Sequence, residues 1–131
     1  RAEYADPARL GPLVAPPATL RWHHAPWPDP VLTQLPRGTH VVIMTHDHAE
    51  DAALCDAALR HPDLASIGLI GSTAKWRRIG RMLAELGHDE AARRRITCPI
   101  GDPRVSGKEP PVIALSVAVA LLDAITGRAP S

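Results

Sequence analysis

Two groups of side chains that could do chemistry follow apolar runs of strand length in this sequence. The first group, Thr45 to His48 with the sequence Thr-His-Asp-His, comes directly after Val41 to Met44. In extended backbone His46 and His48 would point to the same side, at the spacing of metal-binding pairs, and Asp47 could orient one imidazole ring. The same residues can instead shape the turn by accepting hydrogen bonds from the first N–H groups of a helix. Because no third histidine accompanies the pair, we predict turn shaping or ligand contact rather than a metal site.

The second group follows the apolar run Ile67 to Ile70. Gly71 allows close backbone approach, and Ser72 opens a helix whose first N–H groups, with Lys75 and Arg78, could cradle a phosphate. The alternative is an ordinary helix cap followed by a solvated basic face. The sequence leaves both interpretations open. Because the two groups end consecutive strands, we expect them to be neighbours.

A third polar segment begins at Cys98 and leads into the last helix. Gly101, Lys108 and Glu109 are its candidate ligand contacts, although Lys108 and Glu109 could simply pair with each other in solvent. Cys98 could handle sulfur if its thiolate were exposed beside basic groups, whereas Cys55 lies among alanines and is predicted to be packed. We interpret Cys98 as structural too, since a cysteine in isolation is more often buried than reactive.

The surrounding pattern predicts the elements that position these residues. Eight of the 14 prolines fall between Pro7 and Pro36, so residues 1–37 should form a loop-rich lead-in with one short strand over Leu20 to His24. Residues 38–127 should form regular α/β structure. The predicted elements there are strands over Val41 to Met44 and Ile67 to Ile70 and helices over His48 to Arg60, Ser72 to Leu86 and Pro110 to Ile125.

Strands that alternate with helices predict a Rossmann-like α/β fold, a three-layer αβα open parallel sheet that binds ligands at the carboxyl ends of its strands. We expect the strand over Val41 to Met44 to be buried on both faces because its residues form a continuous apolar run. The nearly all-apolar stretch from Val112 to Ile125 should pack deep against the sheet.

Composition limits the possible functions. With 131 residues and 45% apolar content, we expect a single domain over 1–131. A net charge of +1 offers no global field for nucleic acid or an anionic membrane, and the longest apolar stretch is too short to span a bilayer. Two distant cysteines suit a reducing compartment, so we predict a cytoplasmic protein.

Four blocks in this order together resemble the carboxyl-terminal Rossmann domain of XdhC-type xanthine dehydrogenase accessory proteins. The blocks are Val41 to His48, Ile67 to Ser72, Cys98 to Gly101 and Gly107 to Ala114. The resemblance implies a maturation factor rather than an enzyme, and hence no catalytic residues. Such a factor binds the molybdenum cofactor transiently while a cysteine desulfurase supplies sulfur, and assists its insertion into xanthine dehydrogenase or a related molybdenum hydroxylase.

The resemblance also indicates what is missing. The family's glycine-containing first strand would precede Arg1, so we expect a fragment whose sheet lacks that strand. An unpaired edge on the strand over Val41 to Met44 would then favour a homodimer or marginal stability.

Two other functions remain as alternatives. Thr45 to Asp51 resembles the start of the metallo-β-lactamase signature, but Glu50-Asp51 stands where that motif has Asp-His. A nicotinamide-dependent oxidoreductase shares the fold class but requires a Gly-x-Gly-x-x-Gly turn, which the sequence does not contain.

Overall fold

The computed structural model describes His23 and residues 29–127. In chain order the described elements are helix α1 (Asp29–Thr33), strand β1 (His40–Ile43), helix α2 (His48–Leu59), strand β2 (Ser66–Leu69), helix α3 (Thr73–Glu85), helix α4 (Glu90–Arg93), strand β3 (Ile96–Thr97) and helix α5 (Pro110–Thr126). The strands and helices predicted within residues 38–127 are confirmed to within one residue at each end. The elements α1, α4 and β3 were not predicted, and each has five residues or fewer.

The three strands form a parallel sheet in the order β1, β2, β3. Val41 pairs with Ile67 and Ile43 with Leu69, while Ile67 on its other side pairs with Ile96. This parallel sheet with helical connections confirms the predicted Rossmann-like α/β fold. Within the described residues β1 has a neighbouring strand on one side only. The strand predicted over Leu20 to His24 lies almost entirely outside the described part of the chain.

Local sequence explains where the helices begin and end. Ser72 precedes α3, and its hydroxyl accepts a hydrogen bond from a backbone N–H in the first turn. Gly87, at φ +96°, lies just beyond the end of that helix. Two prolines, Pro110 and Pro111, occupy the first turn of α5, where a missing N–H costs least. The helix then ends at Gly127, which takes the left-handed conformation that glycine tolerates best.

The core lies around α2, which packs against α1, α3 and β1. Cys55 and Ala58 of α2 are fully buried, as are Leu69 of β2 and Leu83 of α3. Small side chains on α2 allow the neighbouring elements to approach closely, so this central helix is enclosed on most sides.

Two expectations about burial are wrong. In α5 only Val117 is buried, whereas Leu115, Leu122 and Ile125 are each more than half exposed. Of β1 only Ile43 is buried, because the strand lies at the edge of the described sheet. The apolar runs were correctly assigned to elements, but an apolar run does not specify which neighbours cover it.

The predicted loop-rich lead-in over residues 1–37 falls mostly outside the described residues, and the described part of it contains α1. Pro30 is the second residue of that helix, a position that needs no intrahelical N–H donor. In the described part of the chain, no helix has both the length and the apolar character needed to cross a membrane.

Candidate functional site

The carboxyl ends of the three strands bring the three polar segments of the sequence to one edge of the sheet. The Ile70 N–H donates to the Ile43 carbonyl over 3.0 Å, which aligns the residues following β1 and β2. The Ile100 N–H donates to the Leu69 carbonyl over 3.1 Å, which places the segment after β3 beside the end of β2. Ligands of open α/β sheets bind at this edge.

The first segment is held in place by hydrogen bonds to its own turn. The Asp47 carboxylate accepts from the N–H groups of Ala49 and Glu50 at 2.8 and 3.3 Å, and so caps α2. This confirms the turn-shaping interpretation of Asp47. His46 and His48 are exposed, and His48 is the first residue of α2, so the pair does not continue the extended strand. Among the described residues, no three His, Cys, Asp or Glu side chains are grouped so that they could hold a metal ion.

The centre of this edge is Asp51, a fully buried carboxylate in the first turn of α2. Its Oδ1 accepts from the Thr45 N–H at 3.0 Å and from the Thr45 hydroxyl at 2.7 Å. Its Oδ2 lies 2.5 Å from the ammonium nitrogen of Lys75. A buried carboxylate needs such partners to offset its lost hydration. Asp51 therefore connects the segment after β1 to the start of α3.

Lys75 is more constrained than the sequence indicates. Only 11% of its side chain is exposed, and besides Asp51 its ammonium also donates to the Ile70 carbonyl at 2.9 Å. An ammonium carries three N–H donors, so two are used by these groups among the described residues. Its charge is likewise balanced by Asp51. Lys75 thus acts first as a positioning residue, with one donor remaining.

The start of α3 retains the features expected of an anion site. The Ser72 hydroxyl accepts from the Lys75 N–H at 3.1 Å, and within the described chain the N–H groups of Thr73 and Ala74 have no acceptor. Gly71 lies against the Lys75 stem: a Cβ at residue 71 would come within 2.5 Å of the Lys75 δ-carbon. Arg78 is exposed one turn further along the helix. Backbone donors and an exposed cation therefore lie on the same helix.

The polar segment that begins at Cys98 is hydrogen-bonded to α5. Gly101 has φ +150°, and a Cβ there would come within 2.6 Å of the Ser116 hydroxyl oxygen. The neighbouring Asp102 N–H donates to that same oxygen at 2.8 Å. Lys108 and Glu109 are exposed at the start of α5, and neither forms a described hydrogen bond or ion pair with Asp51 or Lys75. Gly101 thus has a clear packing role, and its ligand contact, like those of Lys108 and Glu109, stays a prediction.

Both cysteines lie near Asp51 and Lys75, and both are free thiols. Burial, reinforced by the negative charge of Asp51, raises the pKa of Cys55 to about 12. Burial also raises the pKa of Cys98, although the Lys75 ammonium opposes that effect. Cys98 is half-buried, and its peptide bond to Pro99 is cis. Neither thiol therefore has the lowered pKa of an activated cysteine.

Alkylation with iodoacetamide at pH 8 should distinguish the two thiols. We expect slow modification of half-buried Cys98 and none of Cys55, because a thiol of pKa about 12 is ionised in only about one molecule in ten thousand at that pH. Mass spectrometry of peptides measures both, and the same reaction in denaturant should modify both equally. Native labelling of Cys55 as fast as Cys98 would contradict this placement.

Asp51 is the residue that the sequence interpretation underestimated. In the sequence it stands out only as a departure from the metallo-β-lactamase motif, yet the spacing of Asp51, Cys55 and Ala58 places it on the buried face of α2. An acid on an otherwise apolar helix face requires a partner, and that signal was available in the sequence. The identity of the partner was not, because Lys75 lies 24 residues away.

Comparison with known proteins agrees with the predicted family. Residues 1–121 match the family model of the XdhC Rossmann domain. No protein of curated function matches the sequence. The family match includes the three strands, the Asp51–Lys75 pair and most of α5. The chain therefore belongs to the XdhC Rossmann domain family.

Proposed function

We propose that this chain is a maturation domain for xanthine dehydrogenase or a related molybdenum hydroxylase, and that it binds the molybdenum cofactor transiently at the strand-end edge. Family membership supports the maturation role. The observation that supports cofactor binding is the convergence of three polar segments at one sheet edge, beside the uncapped N–H groups of Thr73 and Ala74. The cofactor's phosphate is the group that such donors would hold.

The charges of the site favour a modest, reversible interaction. Since Asp51 already balances Lys75, the attraction for a phosphate comes from Arg78 and from the positive end of the α3 dipole. Lys75 contributes its remaining N–H rather than a net charge. A carrier that transfers its cofactor must release it as well as bind it. A site with one exposed cation, Arg78, and a charge-balanced Lys75 is suited to both.

The proposal extends to partners. A cysteine desulfurase would supply the sulfur, the recipient molybdenum enzyme would take the completed cofactor, and the domain would act as a homodimer in the cytoplasm. The residues at the strand ends would hold and orient the cofactor. Neither Cys55 nor Cys98 is an activated thiol, since the pKa values of both are raised. The domain is accordingly a carrier that assists sulfuration rather than an enzyme.

Anaerobic titration with molybdenum cofactor tests this function. We expect saturable binding that Arg78→Ala weakens by roughly 10- to 100-fold, because a charge-assisted hydrogen bond contributes about 1.5–3 kcal/mol. Arg77→Ala is the matched control: Arg77 is the preceding residue of α3, is also exposed, and makes no described ion pair. Calorimetry or fluorescence quenching measures the affinities.

Two outcomes would contradict the proposal in different ways. Equal affinities for the Arg77→Ala and Arg78→Ala variants would remove Arg78 from the site. Absence of saturable binding by the unaltered chain would reject the cofactor-binding function itself.

A further inference from the structure

Three arginines of α3 have no partner within the described part of the chain. The other described arginines each contact a carboxylate or a backbone carbonyl; they are Arg37, Arg60, Arg93, Arg94, Arg95 and Arg104. By contrast, Arg77, Arg78 and Arg81 are exposed and form no described hydrogen bond or ion pair. Arg78 serves the proposed phosphate position, so Arg77 and Arg81 are the two arginines without an explanation.

Arg77 and Arg81 lie one helical turn apart, about 6 Å along the axis, on the same exposed side of α3. Like charges at this spacing repel each other, so the two arginines weaken the helix rather than support it. Glu85 follows Arg81 by one further turn, but no described ion pair joins them. Each guanidinium therefore keeps its planar set of donors, which matches a carboxylate bidentately. The two side chains are suited to bind a pair of anionic groups from outside the chain.

A half-open cavity of about 380 Å³ lies beside this side of α3. Its lining residues are Trp76, Glu90, Arg93, Arg94 and Ile96. The Trp76 indole and the buried Ile96 of β3 supply its apolar surface. The charges around it already have partners, since Arg94 contacts Glu90 at 2.8 Å and Arg93 donates to a backbone carbonyl at 2.6 Å. The cavity therefore suits an apolar side chain rather than a further anion.

Gly80 lies between the cavity and the two arginines. It follows Trp76 by one turn and directly precedes Arg81, and a Cβ at residue 80 would meet nothing within 4 Å. No packing within the described residues requires glycine there, although alanine would suit a helix better. Without a side chain at this position, the backbone of another molecule can approach α3 closely. Trp76, Arg77, Gly80 and Arg81, together with the cavity, thus form one continuous surface, which we call the arginine face.

We infer that the arginine face binds an acidic segment of a partner protein, whose carboxylates pair with Arg77 and Arg81 and whose apolar side chain enters the cavity. Charge complementarity supports this occupant, and tryptophan and arginine are the residues that most often carry binding energy between proteins. A nucleic acid fits less well, because the two arginines span a single turn and the chain has a net charge of only +1. The proposed function names partner proteins but no surface for them. The inference rests on that part of the proposed function and requires no cofactor.

Fluorescence anisotropy with cofactor absent tests the inference. The probe is a fluorescein-labelled peptide that carries four glutamates around one phenylalanine. We expect saturable binding to the unaltered chain, weakened about tenfold or more by Arg77→Glu and by Arg81→Glu, because each variant replaces an attractive charge with a repulsive one. Arg37→Glu is the matched control. It makes the same change in net charge at a side chain that is 85% exposed between α1 and β1, and the affinity should be unchanged.

Changes in the probe test the chemistry of the partner. A peptide with glutamine in place of each glutamate should bind about tenfold more weakly or not at all, and so should a peptide with alanine in place of phenylalanine. A single-stranded oligonucleotide of equal charge should bind more weakly than the acidic peptide. Thermal melts should show all protein variants folded, because the replaced arginines are exposed.

Four results would each overturn the inference. They are no saturable binding of the acidic peptide, equal affinity for either altered peptide, an equal loss in Arg37→Glu, and tighter binding of the oligonucleotide that depends on Arg77 and Arg81. Because neither cofactor nor Arg78 takes part in these measurements, their failure leaves cofactor binding to its own titration. Failure of that titration, in turn, does not alter the result expected for the peptide.

Discussion

Asp51→Ala should lower the free energy of unfolding by about 3–5 kcal/mol, the range for removing one member of a buried ion pair. Asp51 is fully buried and its partner Lys75 is 11% exposed, so the variant would leave an ammonium without its counter-charge in a poorly hydrated position. The Thr45 N–H and hydroxyl would lose their acceptor at the same time. Urea denaturation followed by circular dichroism measures the change.

Removing the charge of Lys75 as well should recover part of the stability lost in Asp51→Ala, while the Thr45 N–H and hydroxyl stay without their acceptor. The double variant Asp51→Leu, Lys75→Met removes both charges, and buried pairs replaced in this way often show little net change in stability. Arg60→Ala is a control for breaking an exposed pair, since the Arg60 side chain is 63% exposed in its contact with Asp56, and the cost should be below about 1 kcal/mol. An Asp51→Ala cost as small as that of Arg60→Ala would mean that the pair is hydrated.

Gly68→Ala should destabilise the fold by about 1–3 kcal/mol, the usual cost of overpacking. Gly68 lies in the central strand β2, and a Cβ there would overlap the Ile100 δ-carbon. The Ile100 side chain would have to leave its present packing, or β2 and the segment after β3, which both border the strand-end edge, would have to separate. Thermal and urea melts of the single variant measure the cost.

Two further variants separate packing from a general effect of replacing glycine. Ile100→Val removes the obstructing δ-carbon and should recover part of the stability lost in Gly68→Ala. Gly80→Ala is the matched control in α3, where a Cβ meets nothing within 4 Å, and it should stabilise the helix by up to about 1 kcal/mol. Equal destabilisation by both alanine variants would show that the Ile100 contact is not the cause.

The sequence predicted the elements well because their signals are local. A β-branched apolar run, Ser72 before α3 and Gly87 after it each act within a few residues, so β1, β2 and the helix ends appear as expected. Strand β3 was missed because two residues, Ile96 and Thr97, give too short a pattern to detect. Its existence depends on pairing with β2 rather than on its own composition.

The candidate site was predicted as a location but not as a set of contacts. Sheet topology alone placed Thr45 and Gly71 at neighbouring strand ends, and the structure brings them there. The pairing of Asp51 with Lys75 is a tertiary contact between two helices, for which no local pattern exists. For the same reason the exposure of α5 was missed: its apolar residues predict a covered surface, but not which element covers it, and Leu115, Leu122 and Ile125 are exposed within the described residues.

The Asp51 carboxylate has a consequence for how tightly a ligand can be held. Because one side chain anchors both Thr45 and the start of α3, the two segments that border the proposed phosphate position are already fixed relative to each other in the free protein. Ordering a mobile side chain when a ligand binds commonly costs about 0.5–1.5 kcal/mol of binding free energy. Here the side chains of Asp51 and Lys75 are already ordered in the folded protein, so this cost does not reduce the affinity for a ligand. Arrival and departure of a ligand then require no rearrangement of this edge, so exchange should be limited by diffusion and by the strength of the contacts rather than by a slow conformational step.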